Sequence, residues 1–199
     1  MGAKTASLVA MAVCLAGTGC VSNKSVHRYT LGAAAAPANV GRQDGLILLV
    51  GSIDTPEALQ DGRICFRAGS NEAGAYEYHR WTERPGSMVR EALIRALRES
   101  GKYQRVIESG SSANGDYVLR GKLDEFDEVD QASIQTKISL HLELVDRKTN
   151  QNVWDHAVER EEPVVGKNVI DVVQSFDRNL QHVVSDAAAE IDKFLATRR

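Results

Sequence analysis

From Tyr117 onward apolar and polar residues alternate one by one. Tyr117, Leu119, Gly121 and Leu123 stand against Arg120, Lys122 and Asp124. Ala132, Ile134, Ile138, Leu140, Leu142 and Leu144 stand against Ser133, Gln135, Lys137, Ser139, His141 and Glu143. A period of two over so many positions predicts strands, because a helix at about 3.6 residues per turn would scatter the same side chains all round. A third strand follows over 152–159, where Trp154, His156 and Val158 alternate against Val153, Asp155 and Ala157. The connectors, Asp127 to Asp130 and Asp146 to Gln151, are short enough for antiparallel neighbours, so the three read as a long meander.

On either side of the meander the period lengthens. Met88, Ala92, Leu93, Ala96 and Leu97 fall on one face of a helix from about Met88 to Ser100, with Arg90, Arg95, Arg98 and Glu99 mostly off it. Arg84-Pro85-Gly86 turns the chain in, Ser87 is the expected cap and Gly101 the stop. A longer helix closes the chain. Val169, Val172, Val173, Phe176, Leu180, Val183, Val184, Ala187, Ile191 and Leu195 hold spacings of three and four, with Asn168 as cap and Asp171 in the first turn, where an acid is favoured. A rod of about 40 Å results, enough to cross a sheet. Its apolar stripe is wider than a coiled-coil seam, which favours packing on a sheet over a partner helix.

Earlier segments supply further strands. Gly45-Leu46-Ile47-Leu48-Leu49-Val50 is a continuous apolar run bounded by glycines, as in a buried strand. Asp54 to Gly62 forms a turn or a single helical turn around Pro56, and Arg63 to Arg67 is a strand. Ala68 to Gly74 carries hairpin turn chemistry, and Ala75 to Trp81 returns with both faces in use. Tyr103 to Glu108 is a short strand followed by a Ser/Gly loop. The whole predicts an α+β fold, a mainly antiparallel sheet covered on one face by two amphipathic helices.

The first nineteen residues follow a different plan: Lys4, an apolar stretch from Ala6 to Ala16, then small residues up to Cys20. That is the layout of a secretory signal with a processing site, and the apolar stretch is shorter than the roughly 20 residues a membrane span needs. The segment before Cys20 is similar to a bacterial lipobox, with Gly19 before the cysteine and Gly17 where Leu is usual. Residues 1–19 are therefore expected to be a signal peptide and Cys20 the acylation site, anchoring the chain to a membrane. Residues 20–41, ending in Ala33-Ala34-Ala35-Ala36-Pro37, read as the acylated N-terminus and a tether. Within it His27 to Leu31 could form a short strand or lie against the domain. Residues 42–199 form one domain, large enough for a real core.

The chain carries a formal charge of -3, and loss of residues 1–19 removes only Lys4 from the charged set. No basic surplus supports nucleic acid, and no arginine stripe is interleaved with aromatics. Of the three cysteines, Cys14 belongs to the signal and Cys20 to the anchor, which leaves Cys65 and no internal disulfide. Catalysis finds little support. His27, His79, His141, His156 and His182 form no HExxH arrangement or close Cys/His cluster, so neither a metal nor another cofactor is indicated. His141, beside Lys137 and Glu143, reads as a surface imidazole. Asp124, Glu125, Asp127, Glu128 and Asp130 lack the spacing of a calcium loop and read as a solvated turn. A GxSxG elbow, a phosphate loop and a nucleotide fingerprint are missing.

One resemblance spans most of the chain in order. The lipobox-like cysteine followed by Tyr29-Thr30-Leu31, then Ile64-Cys65-Phe66-Arg67, then Tyr76-Glu77-Tyr78-His79-Arg80-Trp81 leading into Arg84 to Leu93, and finally Asp116 to Phe126 resemble the ABC-type transport auxiliary lipoprotein component family. The resemblance implies a non-catalytic accessory of an envelope ABC transporter that moves lipids or other hydrophobic molecules between inner and outer membranes. Its implied partners are an MCE-domain substrate-binding protein, to which it would dock, with the permease and ATPase of the same system. It would be held by palmitate-type acyl chains at the periplasmic face of the outer membrane, since Val21 rather than Asp follows the cysteine, and could form a homo-oligomer. Tyr76, Tyr78, Arg80 and Trp81 are the candidate protein-contact residues, because aromatic and arginine side chains concentrate binding energy when buried between proteins. For Trp81 the competing expectation is packing under the Met88 helix. Two other functional classes remain open: an outer-membrane lipoprotein that supports assembly of an envelope complex, and a direct periplasmic lipid carrier, which would need an apolar groove.

Overall fold

The computed structural model describes residues 24–32, 45–110 and 114–198; Cys20 and the signal-like segment lie outside them. The strands are β1 (His27–Tyr29), β2 (Ile47–Asp54), β3 (Arg63–Ala68), β4 (Glu72–Trp81), β5 (Arg105–Glu108), β6 (Tyr117–Asp130), β7 (Ile134–Asp146) and β8 (Gln151–Pro163), with helices α1 (Pro85–Glu99) and α2 (Val169–Ala196). A single 3-10 turn, Glu57–Leu59, follows β2.

β6 is the axis of the sheet. Along one edge it pairs antiparallel with β7 over its whole length, and β7 pairs antiparallel with β8. The opposite edge is shared. Leu48 to Asp54 of β2 run parallel to the first half of β6, whereas Cys65 to Ala68 of β3 run parallel to Asp127 to Asp130 at its end. β5 lies outside β2, while β4 and then β1 lie outside β3, so the sheet forks into two prongs. The expected meander forms, and its two long antiparallel ladders dominate a mixed sheet. Both helices lie on one face, α1 over β2 and β5, α2 over β7 and β8, in contact with each other. The fold is α+β.

The interior is the meeting of the two periodicities. Leu140, Leu142 and Leu144 of β7, Leu119, Leu123 and Phe126 of β6, Leu93 and Leu97 of α1, and Phe176, Val183 and Ile191 of α2 are all fully buried in one cluster. Each such side chain contributes roughly 1.5–3 kcal/mol relative to exposure. Polar groups fasten α2 at both ends of this layer. Asn179 donates from Nδ2 to the Thr136 carbonyl at 2.8 Å, and the Thr136 and Ser175 hydroxyls lie 2.9 Å apart. Farther along, Tyr103 donates to the Asp192 carboxylate at 2.6 Å.

Two local expectations are corrected, and one open alternative is decided. Ser87 does not cap α1: Arg84 is the N-cap, makes no side-chain cap bond, and Pro85 opens the helix. Proline fits there because its fixed φ suits the first helical position and its missing N–H is not needed. The acidic run from Asp124 is not a solvated turn but the second half of β6, in which Asp127 and Glu128 are buried. Alternation hides this because the register with β7 shifts between Leu123 and Glu125, so Leu123 and Phe126, three apart, both point inward. His27 to Tyr29 are a strand of the sheet, and Leu31 just beyond them is buried. At α2, by contrast, Asn168 and Asp171 form the complete reciprocal capping box.

Candidate docking surface

The β1-β4-β3 prong carries the aromatic residues singled out in the sequence. Between the pairs Arg63 with Arg80 and Cys65 with Ala75, two steps along β3 match five along β4. The extra residues fall within Tyr76 to His79, which breaks strict alternation and brings the Tyr76 and His79 rings edge to face at 5.6 Å. His79 also stacks on His27 at 5.3 Å and its Nδ1 lies 2.8 Å from the Tyr29 hydroxyl. Phe66 packs on Tyr76 at 5.6 Å. An aromatic shelf of His27, Tyr29, Phe66, Tyr76 and His79 results at the edge of the core, half-buried except for the exposed His27.

The four candidate contact residues do not share one face. Trp81 is 2% exposed and stands edge-on to Phe126 and Phe176 with centroids 5.7 and 5.3 Å away, so it is a core residue and not part of an exposed surface. Tyr76 is half-buried and donates to the Glu128 carboxylate at 2.8 Å. Burial and that hydrogen bond push the Tyr76 hydroxyl far up, and burial raises the Glu128 carboxyl against the lowering influence of the same bond. Asp127 is raised mainly by burial although Arg67 Nε holds it at 2.8 Å. Tyr78 and Arg80 remain accessible: Lys24 Nζ sits 5.1 Å from the Tyr78 ring centre, and Arg80 Nη1 donates to the Asp61 carbonyl.

The sequence reading missed His27, Tyr29 and His79 as partners. The signal was present as a repeated tripeptide, His27-Arg28-Tyr29 and His79-Arg80-Trp81, and these pair residue for residue in the parallel β1–β4 ladder. The face of the sheet away from the helices carries a second set of titratable groups. There His141 Nε2 lies 2.8 Å from the Asp155 carboxylate and 3.9 Å from Glu143, all three well exposed. Lys137 bridges Glu125 and Glu159, each at 3.0 Å. These are polar contacts on the open face of the sheet. Between the helices runs a groove of about 770 Å³, with Leu180, Val184, Ala92, Ala96 and Ala188 along its walls and Arg95, Glu99, Lys102 and Asp192 among its polar groups. Among the described residues no helix is long and apolar enough to cross a membrane, and Cys65 is a free, buried thiol.

The family model for the ABC-type transport auxiliary lipoprotein component matches residues 29–188, from β1 deep into α2. The chain belongs to that family. Solved structures add likeness of fold. A Xanthomonas campestris protein assigned to DUF330 superposes with a TM-score of 0.75 at 19% identity, covering 87% of this chain and 100% of its own. A hypothetical protein of Chlamydia trachomatis matches with a TM-score of 0.51 at 10% identity over 74% of this chain and 96% of its own. The PelC dodecamer protein of Paraburkholderia phytofirmans matches at 0.47 and 16% identity over 75% and 93%. Among curated proteins none matches in sequence. In this auxiliary lipoprotein the family match begins at Tyr29, the last residue of β1.

Proposed function

We propose that this auxiliary lipoprotein is a non-catalytic accessory of an envelope ABC transporter that moves lipids or other hydrophobic molecules between the two membranes. Acyl chains on Cys20 hold it at the periplasmic face of the outer membrane, and it docks to the MCE-domain component, with the permease and ATPase completing the assembly. The observation that carries this reading is the family match over 29–188, which takes in nearly the whole described fold. The geometry is in keeping with it: His141, Glu143 and Asp155 lie together on the open face of the sheet, and the aromatic prong ends in β1, an edge strand that among the described residues pairs only with β4. An edge with an unpaired backbone row and accessible Tyr78 and Arg80 is suited to a protein partner.

The test is co-purification of the tagged full chain, expressed with an MCE-domain protein, permease and ATPase from the same genome. Capture of the MCE component is expected, weakened by Tyr78→Ala with Arg80→Ala, and Cys20→Ala is expected to move the chain from the membrane to the soluble fraction. A complex that forms equally well with both surface changes would place the contact elsewhere, and the absence of any capture would remove the transporter reading. The groove between α1 and α2 favours a second reading, direct lipid carriage, since its volume lies within the range of small-molecule sites. Native mass spectrometry of the purified chain would show copurifying lipid in that case; bare protein would dismiss it.

A further inference from the structure

Three arginines lie side by side across the anchored prong. Arg28 of β1 pairs with Arg80 of β4, and Arg80 pairs on its other side with Arg63 of β3. Residues paired across strands point to the same face, so the three guanidinium groups form a row on the face away from Trp81 and the core. Lys24 extends the row through its contact with Tyr78. The acids beside it are Asp61, which pairs with Arg63 at 2.5 Å, and Glu77, the neighbour of Tyr78 in the chain. Four cations thus face two carboxylates. Arg67, the next basic residue along β3, is already taken by Glu125 and Asp127, which bounds the patch. Like charges directly across a ladder are destabilising, and a row of them with a cationic surplus points to an anionic surface outside the chain.

Sequence distance says which surface. Lys24 follows Cys20 by four residues and Arg28 by eight, and at about 3.3–3.6 Å per residue even a fully extended chain keeps Arg28 within roughly 30 Å of the acylation point. The row therefore sits on the part of the fold that the anchor holds nearest the bilayer. We propose that Lys24, Arg28, Arg63 and Arg80 form a headgroup-binding face that lays the β1-β4-β3 prong on anionic phospholipid whenever the MCE component is not seated on Tyr78 and Arg80, so that the undocked protein rides on the membrane surface with its helices turned away from it. One acyl anchor plus a basic patch is a recognised route to firm attachment, and each basic side chain near an anionic surface strengthens partition by about fivefold.

The inference rests on acylation at Cys20, and the experiment separates the two. The acylated full chain is reconstituted into vesicles of phosphatidylcholine alone or with phosphatidylglycerol, and hydrogen exchange is followed in peptides covering 24–32, 61–67 and 76–82. If Cys20 is not acylated the chain is lost from the neutral vesicles, whatever the arginines do. If it is acylated, slower exchange of these peptides is expected only with phosphatidylglycerol, reversed by high salt and abolished by Arg28→Gln with Arg80→Gln. Far-UV circular dichroism of that variant verifies that it stays folded. Equal exchange on both lipids, or protection that the variant retains, would overturn the proposal, as would protection seen only when a protein partner is added.

Discussion

Replacing Trp81 by Ala separates packing from docking, because the two roles predict opposite patterns. The ring is 2% exposed and stands between Phe126 and Phe176, which stack on each other at 4.6 Å. Truncating such a side chain costs about 3–5 kcal/mol in transfer and cavity terms, and each edge-to-face contact adds roughly 0.5–1.5 kcal/mol beyond area. Taking about 4 kcal/mol, and about 2–4 °C per kcal/mol for a chain of this length, the Tm should fall by roughly 8–16 °C. Tyr78→Ala, an accessible position, should change stability by no more than about 0.5 kcal/mol. Circular dichroism melts of both variants beside the unaltered chain give the first measurement. Capture of the MCE component well below both melting temperatures gives the second. Trp81→Ala should melt early yet still bind, and Tyr78→Ala should melt normally and bind less. A Trp81→Ala protein that melts within a degree or two of the parent would refute the core assignment.

Burial, and then the charge of His27, hold His79 below the ordinary histidine value of 6.5. The unfolded chain therefore binds more protons than the native one, and the stability this group contributes is present above that value and lost as pH falls through the lowered one. Denaturant midpoints should consequently fall on acidification more steeply for the unaltered chain than for His79→Gln; equal slopes would dismiss the effect. The buried Asp127 and Glu128, whose carboxyls are raised, act in the opposite sense and are common to both proteins. Asn168→Ala removes half of the capping box and should cost about 1 kcal/mol, read as a lower denaturant midpoint with unchanged m-value. The Cys65 thiol is pushed up to about 11 by burial and by Asp127, so alkylation should be negligible in the native protein and rapid once it unfolds.

Elements with one buried face were legible from the chain alone. β7 alternates cleanly because every second side chain meets the helices, and α2 declares itself through Asn168, Asp171 and an unbroken apolar stripe. Where neighbours distant in sequence set the environment, the pattern misled. The acids of β6 look solvated until β3 and β4 arrive to supply Arg67 and Tyr76 as partners. Alternation alone puts Trp81 on the face opposite Tyr78 and Arg80, so its burial was open to the sequence, whereas the separation of Tyr76 from Tyr78 comes from an irregular register fixed by pairing with β3. β1 is three residues long, too short for a periodic signal, and only its in-register likeness to His79-Arg80-Trp81 betrays it.

The fork in the sheet also lays out a load path. Were the chain acylated at Cys20, a pull from the membrane would enter at β1, held to β4 by three residue pairs, while the prong as a whole joins β6 through the four pairs between Cys65–Ala68 and Asp127–Asp130. Arg67 on Asp127 and Tyr76 on Glu128 clamp that short ladder. Trp81 against Phe176, and the Gly32 amide on Asp177 at 2.7 Å, tie the same prong directly to α2. Buried carboxylates that look like a defect in a strand thus hold the seam between prong and meander, and under such a pull the shorter β1–β4 ladder should part before that seam does.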